Sequence, residues 1–192
     1  IFQNLVATNT MYLLSVIDDI FDVSFIKTNQ LNLILKRVML SSFIESVLNE
    51  IPVFKLKYDK EDFAFEVSYP QEPIWIETDD FYLKKAILRL LDNAFKFTRQ
   101  GQIEFKTVLN ETHLRFVIKD TGIGIKEEDR ERIFDPFIQG DGSFSRGYGG
   151  SGLGLTIARG IVTELGGTLH FDSKENEGST FYIEFERYKL SI

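Results

Sequence analysis

The first residues whose types and spacing suit binding chemistry lie in the stretch F-V-I-K-D-T-G-I-G-I, from Phe116 to Ile125. Its β-branched and aromatic residues predict the end of a buried strand, which Asp120 closes. Gly122 and Gly124 then permit a tight turn and a close approach of the backbone to another group. A carboxylate only accepts hydrogen bonds, so Asp120 suits an exocyclic amine such as that of adenine. On this short motif alone, a plain turn preceded by an aspartate is the alternative.

A second glycine-rich stretch, G-Y-G-G-S-G-L-G-L, runs from Gly147 to Leu155. Apolar residues recur at helical spacing after it, and Gly166 and Gly167 end that pattern as a helix C-cap does. A glycine-rich loop that enters a helix presents unpaired backbone N–H groups, which bind phosphate. A flexible surface linker is the alternative, but the abrupt change into an apolar helix argues against it. Together the two loops predict a nucleotide pocket, with one loop for the base and one for the phosphates.

The third candidate stretch is A-I-L-R-L-L-D-N-A-F-K-F-T, from Ala86 to Thr98. Four of its apolar residues form a core-facing helical stripe: Ile87, Leu90, Leu91 and Ala94. Asn93 and Lys96 are three residues apart and therefore share a helix face. An amide oxygen suits Mg²⁺ and an ammonium suits phosphate, although an ordinary solvated last turn is the alternative.

Four motifs in a fixed order resemble the ATP-binding domain of sensor histidine kinases, and most closely the hybrid type. They are L-L-D-N-A-F-K-F-T, D-T-G-I-G-I, F-D-P-F-I-Q-G-D and R-G-Y-G-G-S-G-L-G-L. The resemblance extends from about Leu5 to about Phe185. It implies the Bergerat ATP-binding fold, which gyrase and the chaperone ATPases share.

The resemblance also implies a role for each matching residue. Asp120 should accept from the adenine amine, Thr180 should support the adenine end through water, and Asn93 should ligate Mg²⁺. Lys96 and Arg146 should meet the phosphates, with Arg146 on a lid between Ile138 and Gly150. The full set implied to bind ATP and Mg²⁺ is Asn93, Lys96, Phe97, Asp120, Gly122, Gly124, Ile125, Gly150, Ser151, Gly152, Leu153, Gly154, Leu155 and Thr180, with Asn93, Lys96 and Arg146 acting in catalysis. A core role for Phe97 and an ordinary solvated loop position for Arg146 are the alternatives. Phe134 and Phe137 should fold the base of the lid onto the domain.

Arg89 departs from the family pattern. Many histidine kinases have an asparagine at this place, one helical turn before the Mg²⁺-binding asparagine. Gyrase-like relatives have a glutamate there that activates water, and arginine cannot act as that base. The departure counts against an ATP hydrolase and leaves open whether metal binding is of normal strength.

The expected fold is an α/β two-layer sandwich, a mixed β-sheet with helices on one face, preceded by an N-terminal helix. By resemblance, residues 1–28 form the second helix of the dimerisation hairpin, and residues 29–192 form the ATP-binding catalytic domain. Local patterns predict several further elements: a strand over Leu31–Val38, a helix from Met39 to about Leu48 that Pro52 bends or ends, and a short helix over Lys126–Ile133. Thr78 or Asp79 should cap the helix that carries Asn93.

Composition narrows the class of partner. The net charge of −7 disfavours nucleic acid, and the absence of cysteine excludes a disulfide framework. No signal peptide is visible, and no uninterrupted apolar run is long enough to span a bilayer. We expect a cytoplasmic domain, and the sequence leaves open whether the parent protein is anchored in the inner membrane. The chain begins inside a helical pattern without an initiator methionine, which we interpret as a fragment.

The two histidines do not resemble a phosphoacceptor site. His113 and His170 lie in strand contexts, and neither precedes the acidic residue and arginine of a phosphoacceptor site.

The resemblance therefore predicts the catalytic domain of a two-component histidine kinase. It would transfer the γ-phosphoryl of Mg-ATP to a histidine on a helix before Ile1. Its expected partners are that helix, a response regulator receiver domain and a second copy in a homodimer. A degenerate nucleotide-binding or dimerisation module without phosphotransfer is the alternative.

Overall fold

The computed structural model describes residues 2–60, 63–138 and 150–186. The chain begins with the long helix α1, Phe2–Lys27. The strands that follow are β1 (Lys36–Met39), β2 (Ala64–Ser68), β3 (Trp75–Thr78), β4 (Gln102–Leu109), β5 (His113–Asp120), β6 (Thr168–Lys174) and β7 (Gly178–Glu186). The other helices are α2 (Leu40–Leu48), α3 (Ile51–Lys57), α4 (Asp80–Phe97) and α5 (Gly154–Glu164). Within the described residues, no helix has the length and apolar character needed to cross a bilayer.

Five strands form one mixed sheet in the order β2-β4-β5-β7-β6. β2 runs parallel to β4, and the remaining neighbours are antiparallel. Alternate residues of β5, such as Phe116 and Ile118, are fully buried beneath the helices, as their period-2 pattern requires. The expected mixed sheet with helices and a preceding N-terminal helix is confirmed.

α4 is the central helix of the core. Asp79 caps it, because its side chain accepts from the backbone N–H of Tyr82 at 3.0 Å. Its inward residues Ile87, Leu90 and Leu91 are fully buried, whereas Asn93 and Lys96 are only half-buried. The apolar stripe thus turns the polar face of α4 toward the glycine-rich loop before α5.

Three local predictions need correction. The strand expected over Leu31–Val38 begins only at Lys36, because the N–H of Ile34 bonds the Asp79 carboxylate at 2.7 Å rather than a neighbouring strand. Pro52 lies in the first turn of α3, where its missing N–H costs nothing, so it opens a second helix instead of bending α2. The helix expected over Lys126–Ile133 is reduced to one 3₁₀ turn, Glu127–Asp129.

Candidate functional site

Asp120 lies at the end of β5 on the face that the helices cover, and it is 7% exposed. The N–H of Gly122 donates to its Oδ1 at 2.8 Å. Burial raises the pKa of this carboxyl, and hydrogen bonds from the backbone N–H groups of Gly122 and Ser179 oppose the rise. A buried carboxylate at a strand end can therefore accept a bond from a ligand amine with little competition from water.

The loop after Asp120 fits its surroundings only with glycine at two positions. A Cβ at Gly122 would meet the carbonyl oxygen of Phe97, at the end of α4. Gly124 has φ +65°, and a Cβ there would collide with the carbonyl oxygen of Lys174, in β6. The loop thus lies directly against the backbones of α4 and β6.

Ser173 fastens this loop to the last hairpin, a role that the sequence motifs do not reveal. Its Oγ accepts from the N–H of Ile125 at 2.9 Å and bonds the Gly178 carbonyl at 3.0 Å. The N–H of Asn176 also reaches the Ile123 carbonyl at 2.7 Å. Ile125, predicted as a binding residue, is half-buried beside these contacts.

The structure corrects the prediction for Thr180. In the β5–β7 register Asp120 pairs with Ser179, whereas Thr180 pairs with Lys119. Successive side chains of a strand point to opposite faces, so Thr180 lies on the sheet face away from Asp120. Ser179, which is 7% exposed, takes the place beside Asp120 that we expected for Thr180. Counting outward from Phe181, which points into the core, would have assigned these faces from the sequence.

The second glycine-rich loop turns into α5 beside the polar face of α4. A Cβ at Gly150 would stand 2.8 Å from Nζ of Lys96, and one at Gly154 would stand 4.0 Å from Cδ of Arg89. Gly152 has φ +69°, and its carbonyl accepts from the N–H of Phe137 at 3.1 Å. The described part of this loop therefore lies against the polar face of α4, and the loop at 122–125 lies against the last turn of the same helix.

The start of α5 presents backbone donors to this space. The N–H of Ile157 bonds the Leu153 carbonyl, so the helix ladder begins there, and Gly154, Leu155 and Thr156 supply the first-turn N–H groups. Leu153 is fully buried and anchors the loop, and the Ser151 hydroxyl accepts from its N–H at 3.3 Å. This arrangement suits an anion such as a phosphate.

Lys96 supplies a cation near the loop. Its Nζ lies 5.0 Å from the centre of the Phe97 ring. Burial lowers the pKa of Lys96, nearby Asp92 raises it, and Lys57 lowers it further. A partly desolvated ammonium gains more from an incoming phosphate than one fully in water.

Asn93 sits one turn before Lys96, half-buried, and its amide has no hydrogen-bond partner among the described residues. Its oxygen is thus available to a hard cation such as Mg²⁺, which takes oxygen ligands and keeps several waters. In the described part of the chain, no cluster of three or more histidine, cysteine, aspartate or glutamate residues forms a separate metal centre. Asn93 therefore fits a metal that is held mainly by the nucleotide.

The base of the predicted lid is only partly as expected. Phe134 is 8% exposed and packs edge-on against Phe171, with ring centres 5.8 Å apart. Phe137 does not fold onto the domain, because its side chain is 64% exposed and only its backbone contacts Gly152. Arg146 and most of the lid predicted over Ile138–Gly150 lie outside the described residues.

Arg89 turns toward α1. Its guanidinium forms an ion pair with Asp19 and lies 4.0 Å from Asp22, and its side chain is 26% exposed.

Lys60 supports the last turn of α4, a role that the sequence motifs did not reveal. Its ammonium contacts the carbonyl oxygens of Phe95 and Thr98.

Neither histidine belongs to the site. Nε2 of His113 lies 3.2 Å from a carboxylate oxygen of Glu184. Its Nδ1 shares a hydrogen bond of 2.7 Å with the Thr112 hydroxyl, in which either group can be the donor. The His170 ring stacks on Tyr182 with ring centres 4.9 Å apart. Both positions alternate with core residues and lie on the sheet face away from Asp120.

Comparison with known proteins decides the family. Residues 78–189 match the family described as histidine kinase-, DNA gyrase B- and HSP90-like ATPases, and this range contains α4, α5, both glycine-rich loops and the four strands from β4 to β7. The chain belongs to this family. It carries the ATP-binding domain found in histidine kinases.

The chain is similar to histidine kinases and to a hybrid signal transduction protein. The chain is 36% identical over 188 residues to the signal transduction histidine-protein kinase BarA of Escherichia coli K12, covering 94% of this chain and 20% of BarA. It is 39% identical over 190 residues to the hybrid signal transduction protein dokA of Dictyostelium discoideum, covering 96% of this chain and 11% of dokA. The chain thus spans a fifth or less of the length of these two relatives.

Solved structures agree in fold. Acinetobacter baumannii histidine kinase AdeS matches with TM-score 0.76 at 23% identity, covering 96% of this chain and 83% of that one, which supports the fold alone. Full-length ShkA in complex with AMPPNP matches with TM-score 0.74 at 26% identity, covering 90% of this chain and 35% of that one. The catalytic domain of histidine kinase ThkA matches with TM-score 0.65 at 28% identity, covering 80% and 95%.

Proposed function

We propose that this chain binds Mg-ATP between α4, the loop at 122–125 and the loop at 150–154, and transfers the γ-phosphoryl to a histidine outside the chain. The observation that carries the proposal is the meeting of buried Asp120, the two glycine loops and the polar face of α4 around one space. The solved relative ShkA, whose structure contains AMPPNP, supports nucleotide binding by such a fold.

Each residue has a part in this proposal. Asp120 accepts from the adenine amine, and Ser179, rather than Thr180, flanks it. Gly122 and Gly124 let the loop lie against the backbones of α4 and β6, which places it beside the base. Ile125 and Phe97 border the base. On the phosphate side, backbone N–H groups at the start of α5 bind oxygen atoms, and Leu153 anchors the loop that presents them. The residues of this proposed phosphate site are Gly150, Ser151, Gly152, Leu153, Gly154 and Leu155.

Charge on the phosphates is neutralised from two sides. Lys96 approaches from α4, and Arg146 would approach from the lid. Asn93 would hold Mg²⁺ through its amide oxygen, and the bound ion would offset the negative charge that develops on the phosphates. Catalysis by these residues consists of positioning and electrostatic stabilisation.

The proposed phosphoryl transfer breaks one bond to phosphorus and forms another. The bond between the γ-phosphorus and its bridging oxygen breaks, and ADP leaves with that electron pair. A phosphorus–nitrogen bond forms to the acceptor imidazole, whose ring proton passes to water. Neither His113 nor His170 is the acceptor, because both lie across the sheet from Asp120.

We further propose that residues 1–28 are the second helix of a dimerisation hairpin and that residues 29–192 are the catalytic domain. The support is an apolar face of α1 that the described chain leaves uncovered: Leu13, Leu14, Ile17, Ile20, Phe21 and Phe25, each at least 40% exposed. A second hairpin helix and a second copy of the chain would cover this face. A receiver domain is the proposed recipient of the phosphoryl group, and the cytoplasm is the proposed compartment.

A degenerate module that binds nucleotide without phosphotransfer is the second candidate. Arg89 favours it, because this residue replaces the asparagine expected by resemblance and is ion-paired to α1. Titration calorimetry with ATP, with and without Mg²⁺, tests binding. Adding the parent protein's complete hairpin and following radioactive phosphate from γ-labelled ATP then separates the two candidates: stable label on the hairpin supports the kinase, and binding without label supports the degenerate module.

A further inference from the structure

Asp19 differs from the residues around it on α1. Most of this helix beyond Leu13 is exposed, yet Asp19 is only 3% exposed. One carboxylate oxygen forms the ion pair with Arg89 of α4, and the other accepts from the Ser151 hydroxyl at 2.7 Å. The partners lie 70 and 132 residues away in sequence, so Asp19 joins three separate segments.

Both partners of Asp19 lie at the proposed phosphate end of the site. Ser151 belongs to the glycine-rich loop beside Lys96, and the stem of Arg89 passes Gly154 at the start of α5. A triphosphate would attract the same guanidinium and the same hydroxyl. A hydroxyl has one hydrogen to donate, and a carboxylate beside the phosphates would repel them.

We propose that Asp19 makes the docking of α1 and the binding of ATP compete, so that nucleotide entering the site draws Arg89 and Ser151 away and loosens α1. This inference rests on the proposed ATP site. Without nucleotide, Asp19 compensates Arg89, and the buried pair holds α1 against α4 and α5. With nucleotide, the phosphates compensate Arg89 instead, and Asp19 gains by returning to water.

Asp22 supplies a matched control on the same helix. It lies one turn from Asp19 and is also buried, and its carboxylate is 2.6 Å from Nζ of Lys85 on α4. It approaches Arg89 only to 4.0 Å, and no hydrogen bond joins it to Ser151. Asp22→Asn therefore removes the same charge and weakens the same helix contact without freeing a donor in the phosphate loop.

The first test is calorimetric titration of AMPPNP into the unmodified chain, Asp19→Asn and Asp22→Asn. Competition predicts that Asp19→Asn tightens AMPPNP binding by about fivefold or more, the lower end of common coupling strengths. Asp22→Asn should change the affinity much less. An unchanged or weakened affinity in Asp19→Asn, or an equal gain in both variants, would overturn the inference.

The second test uses the unmodified chain, so it does not depend on how a variant folds. Coupling is reciprocal, so saturating AMPPNP must weaken the docking of α1 by the same factor. Amide hydrogen exchange over residues 13–27 should become faster with AMPPNP. If exchange over these residues is slower or equal when AMPPNP is shown to saturate the chain, the proposed competition is refuted, whereas the proposed ATP site is not. Absence of any binding heat or competition by AMPPNP would instead refute the ATP site itself, and the inference with it.

Discussion

The Asp120 carboxylate combines burial with backbone donors, and this combination suits recognition more than stability. Burial removes water from this carboxylate and thereby raises its pKa, and the backbone N–H groups of Gly122 and Ser179 donate hydrogen bonds to it. Polar groups that a fold buries at a cost are often kept for binding.

Asp120→Asn should abolish useful ATP binding. The amide loses the charge-assisted bond to the adenine amine and can turn its own NH₂ toward it. The cost is about 1.5–3 kcal/mol, on the order of 10- to 100-fold in Kd. Calorimetry measures this, with Asp172→Asn as a control of equal charge change, since Asp172 pairs with Thr180 on the far face of the sheet. Unchanged affinity in Asp120→Asn would refute the assignment of the adenine site.

The raised pKa of Asp120 also predicts a dependence of stability on pH. The folded chain favours the protonated carboxyl, so this group's contribution is present below the unfolded pKa of 3.8 and is lost as pH rises through the folded pKa. The free energy of unfolding of the unmodified chain should therefore fall relative to that of Asp120→Asn over the pH range that begins near 3.8 and extends upward through the folded pKa. Urea denaturation of both proteins across this range measures the difference. A constant difference would show that burial does not penalise the Asp120 charge.

At the scale of elements, the site depends on how closely two loops approach their neighbours. The loop at 122–125 rests on the end of α4 and on β6, and the loop at 150–154 rests on the polar face of α4. Leu153 is fully buried and Ile125 packs against the core, and the close approach of the glycine backbones to α4 and β6 further restricts where the loops can lie.

Gly124→Ala tests this fit against a matched glycine. Gly124 and Gly166 both have positive φ, but a Cβ at Gly124 would strike the Lys174 carbonyl, whereas one at Gly166 has nothing within 4 Å. Gly166→Ala should lose about 1 kcal/mol of unfolding free energy from backbone strain alone, and Gly124→Ala roughly 2–4 kcal/mol. Chemical denaturation gives both values. Equal losses would mean that the loop shifts to accept the added methyl group.

At the scale of the whole molecule, helix α1 and the catalytic layers form a continuous structure. Asp22 meets Lys85 on α4, and a Cβ at Gly160 of α5 would collide with Ile26. Asp19 of α1 contacts Arg89 and Ser151 beside the loop before α5, while the apolar face of α1 is exposed in the described chain.

The two histidines predict how the chain behaves with labelled ATP. His113 is engaged by Glu184 and Thr112, and His170 is stacked on Tyr182. The chain alone should bind ATP yet acquire no phosphoryl group, and it should label a hairpin supplied from the parent protein. Incubation with γ-labelled ATP followed by gel autoradiography measures this. Stable label on the chain alone would contradict an acceptor outside it.

Local sequence patterns determined much of the fold and nominated the residues of the candidate site. The buried run before Asp120 and the apolar stripe of α4 each depend on neighbours within a few residues, and the structure confirms both as a strand and a core-facing helix. The errors came where a distant group decided the outcome. The Asp79 carboxylate accepts from the N–H of Ile34, 45 residues earlier in the chain, so β1 begins later than predicted. The β5–β7 register places Ser179, instead of Thr180, beside Asp120.

The tertiary structure alone decided the environment of Arg89. From the sequence, Arg89 left open only whether metal binding is of normal strength, and its nearest acidic neighbour on the helix is Asp92, three residues later. Asp19 became its partner only when α1 packed across α4, and Ser151 joined them when the loop before α5 closed beside both. Contacts between segments so far apart follow from how whole elements pack, since no local periodicity or propensity encodes the meeting of three side chains.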